Sequence, residues 1–465
     1  MKRANLLVAV GAALSLLSVA TLARENPPAP GAPRPFVLPA KRDFKLANGM
    51  AVTFVPFGTI PKATLVLTLR TGNIADGGKT GLADLTTELL KEGAGSRDGA
   101  ALAEYTAEMG GALEASASPD QTTVSLDVLA ERAAEAVGVI ADVVRRPRLP
   151  AQELARLKSN LVRQVAIQRS QAQGIAGEAY SRLLWGDHPY GHELPTEAEI
   201  ASIGIEDIRG FVAHELGAAR AHLYVAGRFD AAAVEKALHA RFDDWPAGEA
   251  PAARPATGSR VRIVKLIDRP GAAQSTILLG LPVPGPAAKD FTHLSVANVL
   301  FGGSLMSRLD QNLREAKGWT YGAFSTISPF AGGVASWTLS TDVNAPDTAP
   351  AIAEIFKEIE RLRSEPPPAD ELLAIQNYRS GLFVIGASSR SGLLGQLAFI
   401  DQQGLPDDWL SNYVARIHAV TPAQVRAAAA EFLDPKAMTL VVVADLSKFK
   451  SAIEALPALK GATFE

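Results

Sequence analysis

Apolar positions along the chain follow two different periods, and the change of period marks the elements. "MAVTFVPF" (50–57), "ATLVLTLRTG" (63–72) and "TTVSLDVL" (122–129) alternate apolar and polar residues, which predicts strands with one face buried. "LAERAAEAVGVIADVV" (129–144) puts Ala133, Val137, Ile140 and Val144 on one side of a helix, and "GLADLTTELLKEG" (81–93) stacks Leu82, Leu85 and Leu89 opposite Asp84, Thr87 and Glu88. The order of signals then repeats. "RPRLPAQELARLKSNLVRQVA" (146–166) corresponds to "EPPPADELLAIQNYRSGLFV" (365–384), each a proline stop followed by a long helix. "IGIEDIRGFVAHELGAARAHLYVAGRFD" (203–230) corresponds to "VTPAQVRAAAAEFLDPKAMTLVVVADLS" (420–447), each a capped helix leading into a buried strand. Between the copies, "PAGEAPAARPATGS" (246–259) has no apolar period and reads as a linker. The pattern therefore predicts an α+β fold of two homologous halves, 43–245 and 260–465, each an antiparallel sheet with helices packed on one face. Joined by a flexible linker, they would form a clamshell closing on a ligand between them.

The first residues break this pattern. "MKRANLLVAVGAALSLLSVATLARENPPAPGAP" opens with Lys2 and Arg3, runs apolar from Leu6 to Val19, and continues through small residues into a Pro-rich stretch. That is the form of a secretory signal over 1–23 followed by an extension over 24–42, and it predicts a periplasmic or secreted protein. The apolar run is shorter than the roughly 20 residues of a spanning helix, and no later stretch is long and apolar enough, so no integral span is expected after signal removal. Among 465 residues there is no cysteine, which excludes disulfides, thiolate metal sites and cysteine nucleophiles. With 46 Lys plus Arg against 49 Asp plus Glu there is no basic field to hold nucleic acid.

The polar side of the 81–93 helix raises a chemical question. Asp84 and Glu88 are four residues apart, so one turn brings both carboxylates over the same point, with Thr87 on the adjoining flank. On residue chemistry alone this is a solvated helix face with Asp84 near the positive end of the dipole, or else a hard-cation site. "GDHPYGH" offers His188 and His192, but Pro189 and Gly191 interrupt any helix between them, and "GHELPTE" lacks the second His of a zincin.

"TGNIADGGKTGLADLTTELLKEGAGSRDG" resembles the segment of the pitrilysin/insulinase zinc metallopeptidases that carries the inverted HxxEH motif, in which two His bind zinc and the Glu activates water. The resemblance continues through "GGALEASASPDQTTVSLDVL", "LLWGDHPYGHELPTEAEI" and "LREAKGWTYGAFS". In that register Asp84 and Glu88 stand at the two His positions and Thr87 at the position of the Glu, while Gln164 falls at about the third ligand. The resemblance thus implies a family member without its zinc ligands or its base: no metal and no cofactor bound by this chain.

What the resemblance leaves intact lies in the second half. "SLMSRLDQNLREAKGWTYGAFSTISPF" predicts an amphipathic helix over about Ser304 to Lys317, stopping at Gly318 and feeding a strand with Trp319, Tyr321 and Phe324. By chemistry alone Arg314 complements the helix dipole and Tyr321 packs at a strand edge. The resemblance instead implies that both are catalytic groups acting on a partner's zinc site, Tyr321 donating to the oxyanion and Arg314 holding the substrate backbone or terminus. "GGALEASAS" resembles the edge strand on which the family's substrates lie, implying substrate binding at Glu114, Ala115 and Ser116, with Glu114 in place of the family's usual Asn. The expected function is a non-catalytic subunit of an exported zinc-dependent heterodimeric peptidase, whose homologous HxxEH-containing partner carries the zinc. The alternative is a peptide-binding or structural protein of the same fold with no part in catalysis, and the weakest reading is hydrolysis by this chain alone with an unfamiliar metal at Asp84 and Glu88.

Overall fold

The computed structural model describes residues 36–251 and 254–465. The expected signal at 1–23, much of the extension at 24–42 and residues 252–253 of the linker lie outside the described residues.

The first half builds a six-stranded sheet from β1 (Arg42–Lys45), β2 (Ala51–Pro56), β3 (Lys62–Leu69), β4 (Glu114–Ala117), β5 (Thr122–Leu129) and β6 (Ala221–Gly227). The second half builds another from β7 (Ile263–Asp268), β8 (Gln274–Pro284), β9 (Thr320–Pro329), β10 (Val334–Asn344), β11 (Thr439–Ala444) and β12 (Thr463–Phe464). Their spatial orders are β1-β2-β6-β3-β5-β4 and β9-β10-β8-β11-β7-β12. Setting aside the edge strands β1 and β12, β2-β6-β3-β5-β4 matches β7-β11-β8-β10-β9 strand for strand. In both sets the first pair is parallel and the rest antiparallel. The duplication is therefore one of topology, and β4 and β9 are equivalent edge strands. The sheets are mixed rather than wholly antiparallel, because β6 and β11 each return from a helix to lie parallel to the first strand of their copy.

Helices also cover both faces of each sheet, not one. Along β6, Leu223 and Val225 join the first half's own core, with Val137, Ile140 and Phe211 from its helices, while Tyr224 and Ala226 point the other way and join the second half's core. Along β11, Leu440, Val442 and Ala444 face the second half's helices and Val441 and Val443 face a cluster with Ala176, Tyr180, Leu184 and Trp185. Successive strand residues point to opposite faces, so a run such as "TLVVVA", buried at every position, needs a cover on both sides.

The second cover comes from the other half. The helix Ala172–Trp185 of the first half packs on β8 and β11, and its counterpart Arg390–Gln402 of the second half packs on β3 and β6. Tyr180 secures the former: its buried hydroxyl bonds Ser336 (3.1 Å), the Trp337 carbonyl (3.3 Å) and Thr338 (3.2 Å). Burial pushes its pKa up to about 12, so it stays a neutral donor. Gly280 makes room, since a Cβ there would lie 2.3 Å from the Tyr180 hydroxyl and 2.2 Å from the Trp337 carbonyl oxygen. The counterpart helix is secured by charge: Asp401 accepts from Arg70 at 2.8 Å and lies 3.4 Å from His222, and Arg390 donates to Asp127 at 2.9 Å. The connection after residue 245 is pinned too, by Ala219 N–H to Ala247 O (2.8 Å) and Ser259 N–H to Leu184 O (2.7 Å). The halves thus interlock, and a clamshell opening within one chain would have to expose these buried sheet faces. Among the described residues no single helix is long and apolar enough to cross a membrane.

Candidate functional site

The helix Leu82–Leu90 is set by a carboxylate the sequence pattern did not flag. Its N-cap is Gly81, in the left-handed region at φ 91° and without a side chain to cap, so Asp76 reaches in and accepts the N–H groups of Gly81 and Ala83, both at 2.8 Å. Burial, with a contribution from the Asp84 charge, raises the Asp76 pKa to about 7 against those two hydrogen bonds. With Leu85 and Leu89 in the core, the opposite side of the helix is fixed toward β4 and the helix Ala151–Ser170.

There the sequence-predicted positions do come together. Asp84, Thr87, Glu88 and Gln164 line one cavity of about 220 Å³ with Asn160 and the backbone and small side chains of Ala115, Ser116 and Ala117. Their chemistry is not that of a zinc centre. Thr87 is 2 % exposed and its hydroxyl donates to the Asp84 carbonyl at 2.9 Å, so no base stands where water would be activated. Asp84 accepts from the Asn73 amide at 2.8 Å, and its pKa is raised by burial and by Glu88. Glu88 pairs with Lys91 at 2.8 Å. Protein zinc centres usually combine carboxylate ligands with imidazole or thiolate, and two carboxylates, an amide and a committed hydroxyl, with no imidazole or thiolate among them, fit zinc poorly. Among the described residues no three His, Cys, Asp or Glu side chains gather closely enough to hold a metal. His188 lies elsewhere, its Nδ1 accepting the Tyr190 N–H of its own turn at 3.3 Å, and it does not line this cavity.

β4 roofs the cavity and forms the free edge of the first sheet. The tip bond from Ser118 N–H to Gln121 O sets the register, so Ser116 opposite Thr123 bonds inward, while Ala115 and Ala117 turn their N–H and C=O outward. No other backbone among the described residues takes those groups up. Glu114 and Ser116 are exposed and Ala115 is buried.

The equivalent region of the second half is arranged otherwise. The expected helix over Ser304–Lys317 is largely a π-helix, Asp310–Ala316, preceded by a turn at 304–307. Two ties hold this region: Arg308, just before the π-helix, forks onto Glu371 with two 2.8 Å bonds, and Asn312 within it donates to Glu354 and Glu358 at 3.0 Å. Such widened turns are rare and favour functional sites. The segment does stop at Gly318, at φ 65°. Immediately after, the pairing of β9 with β10 slips between Thr320 and Ala323, so two residues, Tyr321 and Gly322, oppose the single Asp342. That bulge turns Tyr321 outward, 92 % exposed. Arg314 is half-exposed and loosely tied to the fully buried Asp310 at 3.4 Å. The edge of β9 is closed in its middle, because Ser325 N–H bonds the Gly302 carbonyl and the Asn298 amide bonds the Ser325 carbonyl. No hydrogen bond or ion pair among the described residues joins Arg314 or Tyr321 to the 84–88 helix.

Comparison with known proteins supplies the lineage. Residues 58–196 match the profile of the insulinase peptidase family M16, and residues 202–379 match that of the peptidase M16 inactive domain. A protein of Mycobacterium tuberculosis named an uncharacterized zinc protease is 24 % identical over 403 residues, covering 85 % of this chain and 91 % of that one. Another of that name from Rickettsia bellii is 25 % identical over 347 residues, covering 73 % and 82 %. The crystal structure of a peptidase M16 inactive domain from Pseudomonas fluorescens superposes with a TM-score of 0.81 at 23 % identity, over 87 % of this chain and 98 % of that one. A protease from Helicobacter pylori gives 0.81 at 18 % identity, over 88 % and 100 %. With both profiles matched in order and the two-sheet architecture shared, the chain belongs to the insulinase (M16) peptidase family.

Proposed function

We propose that this chain is a non-catalytic, peptide-binding subunit of an exported zinc-dependent peptidase, working with a homologous partner that keeps HxxEH. The observation that carries the reading is the division of labour between the halves. Where the family's base stands, Thr87 has its hydroxyl committed to the Asp84 carbonyl, yet Tyr321 is held out at 92 % exposure on a bulge that follows the segment carrying Arg314. An exposed phenol hydroxyl and a guanidinium are donors that stabilise developing negative charge, and they serve a reacting centre whichever chain supplies it. The partner would supply metal and base. This chain would supply the Arg314 and Tyr321 donors and the open edge of β4, where an extended peptide adds a strand through the outward groups of Ala115 and Ala117.

The test is reconstitution. The purified chain alone leaves a quenched fluorescent peptide intact with or without added zinc, and mixing it with an HxxEH homologue from the same organism raises that homologue's turnover. Cleavage by this chain alone, abolished by Glu88→Ala, would overturn the proposal. Peptide capture with no change in the homologue's turnover would favour the second reading, a binding or structural protein of this fold, for which the open β4 edge suffices.

A further inference from the structure

The cavity beneath β4 lacks the chemistry for zinc and is lined by acidic charge. Two carboxylates, Asp84 and Glu88, face it one helical turn apart, and no Lys, Arg or His is among the residues that line it. On the facing helix Gln164 offers a further acceptor, while the Asn160 Oδ1 already accepts from Arg163 at 3.0 Å. Each carboxylate has one oxygen in a recorded bond, Asp84 Oδ2 to Asn73 and Glu88 Oε1 to Lys91, leaving Asp84 Oδ1 and Glu88 Oε2 to take a donor. The roof matters as much as the walls. Ala115 and Ala117, the residues whose backbone is open to an added strand, also line the cavity, and their methyl groups leave it room.

We infer that this cavity seats a basic side chain, arginine or lysine, of the peptide bound along β4, so that the former metal position has become a specificity pocket for a cationic residue. The inference rests on the reading above that β4 binds an extended peptide. Charge complementarity carries it: two like charges at i, i+4 repel, and a guanidinium or ammonium between them replaces that repulsion with charge-assisted hydrogen bonds. Alternate residues of an added strand point to the same side, so a bound peptide presents one side chain in two toward the cavity.

The experiment uses the full chain in low salt with a chelator present, and measures by fluorescence anisotropy its binding of labelled peptides of repeating Thr-Val carrying one Arg, one norleucine or one Glu. The repeat lets each peptide slide into the register that seats its odd residue. The Arg peptide is expected to bind about tenfold more tightly than the norleucine peptide, the size of one charge-assisted pair, and the Glu peptide more weakly than either. Glu88→Gln, at an exposed position that leaves the fold intact, should shrink the Arg advantage, and Asp84→Asn with Glu88→Gln should erase it while norleucine binding stays the same. Equal binding of the Arg and norleucine peptides, or an Arg advantage that survives in the double variant, would overturn the pocket alone. Failure of every peptide to bind would overturn both the pocket and the strand-addition reading beneath it.

Discussion

β4 and β9 occupy the same place in two copies of one topology, and they have become opposites. β4 is four residues long, carries small side chains, leaves its outer backbone groups unpaired and covers a cavity. β9 is ten residues long, is tied at Ser325 to Gly302 and Asn298, and throws one aromatic side chain outward at its bulge. A duplicated sheet therefore offers two edges that diverge independently, one left open and the other closed in its middle with Tyr321 exposed at its bulge. The interlocking helices differ in the same way. The Tyr180 clasp is neutral and dry, whereas the Asp401 clasp is ionic.

The largest effect separates the two edges by chemistry. In a reconstituted peptidase, Tyr321→Phe removes only a hydroxyl and is expected to lower kcat about a hundredfold, the size of a lost oxyanion donor, with Arg314→Ala raising KM as well. Initial rates over a substrate series check this, and unchanged kcat in both would dissociate the second edge from catalysis. Next comes a matched pair of proline substitutions. Ala117→Pro removes an outward N–H that the peptide needs and should weaken capture at least about tenfold, while Ile327→Pro, at the same outward phase of β9, should leave it unchanged, since proline is tolerated where an edge N–H has no strand partner. Equal losses would mean that both edges receive peptide.

Smaller effects distinguish the clasps. Tyr180→Phe leaves Ser336 and Thr338 facing a buried gap and should cost about 1–3 kcal/mol in chemical denaturation, at any pH from 5 to 9. The Asp401 clasp depends on pH. Burial alone would raise this carboxyl, but hydrogen bonds and charge from His222 and Arg70 outweigh it and hold the pKa down to about 2. A carboxylate depressed in the folded state contributes stability above its unfolded value near 4 and loses it as pH falls toward 2, so this clasp should weaken by at most about 2 kcal/mol across that window. Asp401→Asn should flatten the acid limb of the stability profile there, and an unchanged limb would assign it to other carboxylates.

Much of this architecture was legible in the pattern of residues. Proline-led helices, capping residues and period-two strands disclosed the duplication, because those signals are local. Asp84, Thr87, Glu88 and Gln164 do share one cavity, a result the inverted-motif register implied and the i, i+4 spacing made geometrically reasonable. Most of what escaped notice depends on partners distant in sequence. The largely apolar runs of β6 and β11 signalled buried strands, but nothing in them says that the second cover comes from the other half. Asp76 caps a helix from five residues upstream because Gly81 cannot, a loop geometry without a sequence signature. The π-turn and the bulge before Ala323 replace the regular helix and strand that periodicity predicts there, and the bonds that Arg308 and Asn312 donate in that region go to Glu371, Glu354 and Glu358, 42 to 63 residues away in sequence.

The exchange of helices between the halves has a consequence for how the chain matures. The first sheet, with Val55, Tyr224 and Ala226 on its far face, stays half bare until residues 390–402 have been synthesised and docked. Contacts closing across more than 150 residues form late, and apolar sheet surface waiting for them is prone to aggregate. A messenger truncated between the two copies would encode an insoluble product rather than a working single domain, so this duplication, once interlocked, can no longer be undone by splitting the gene.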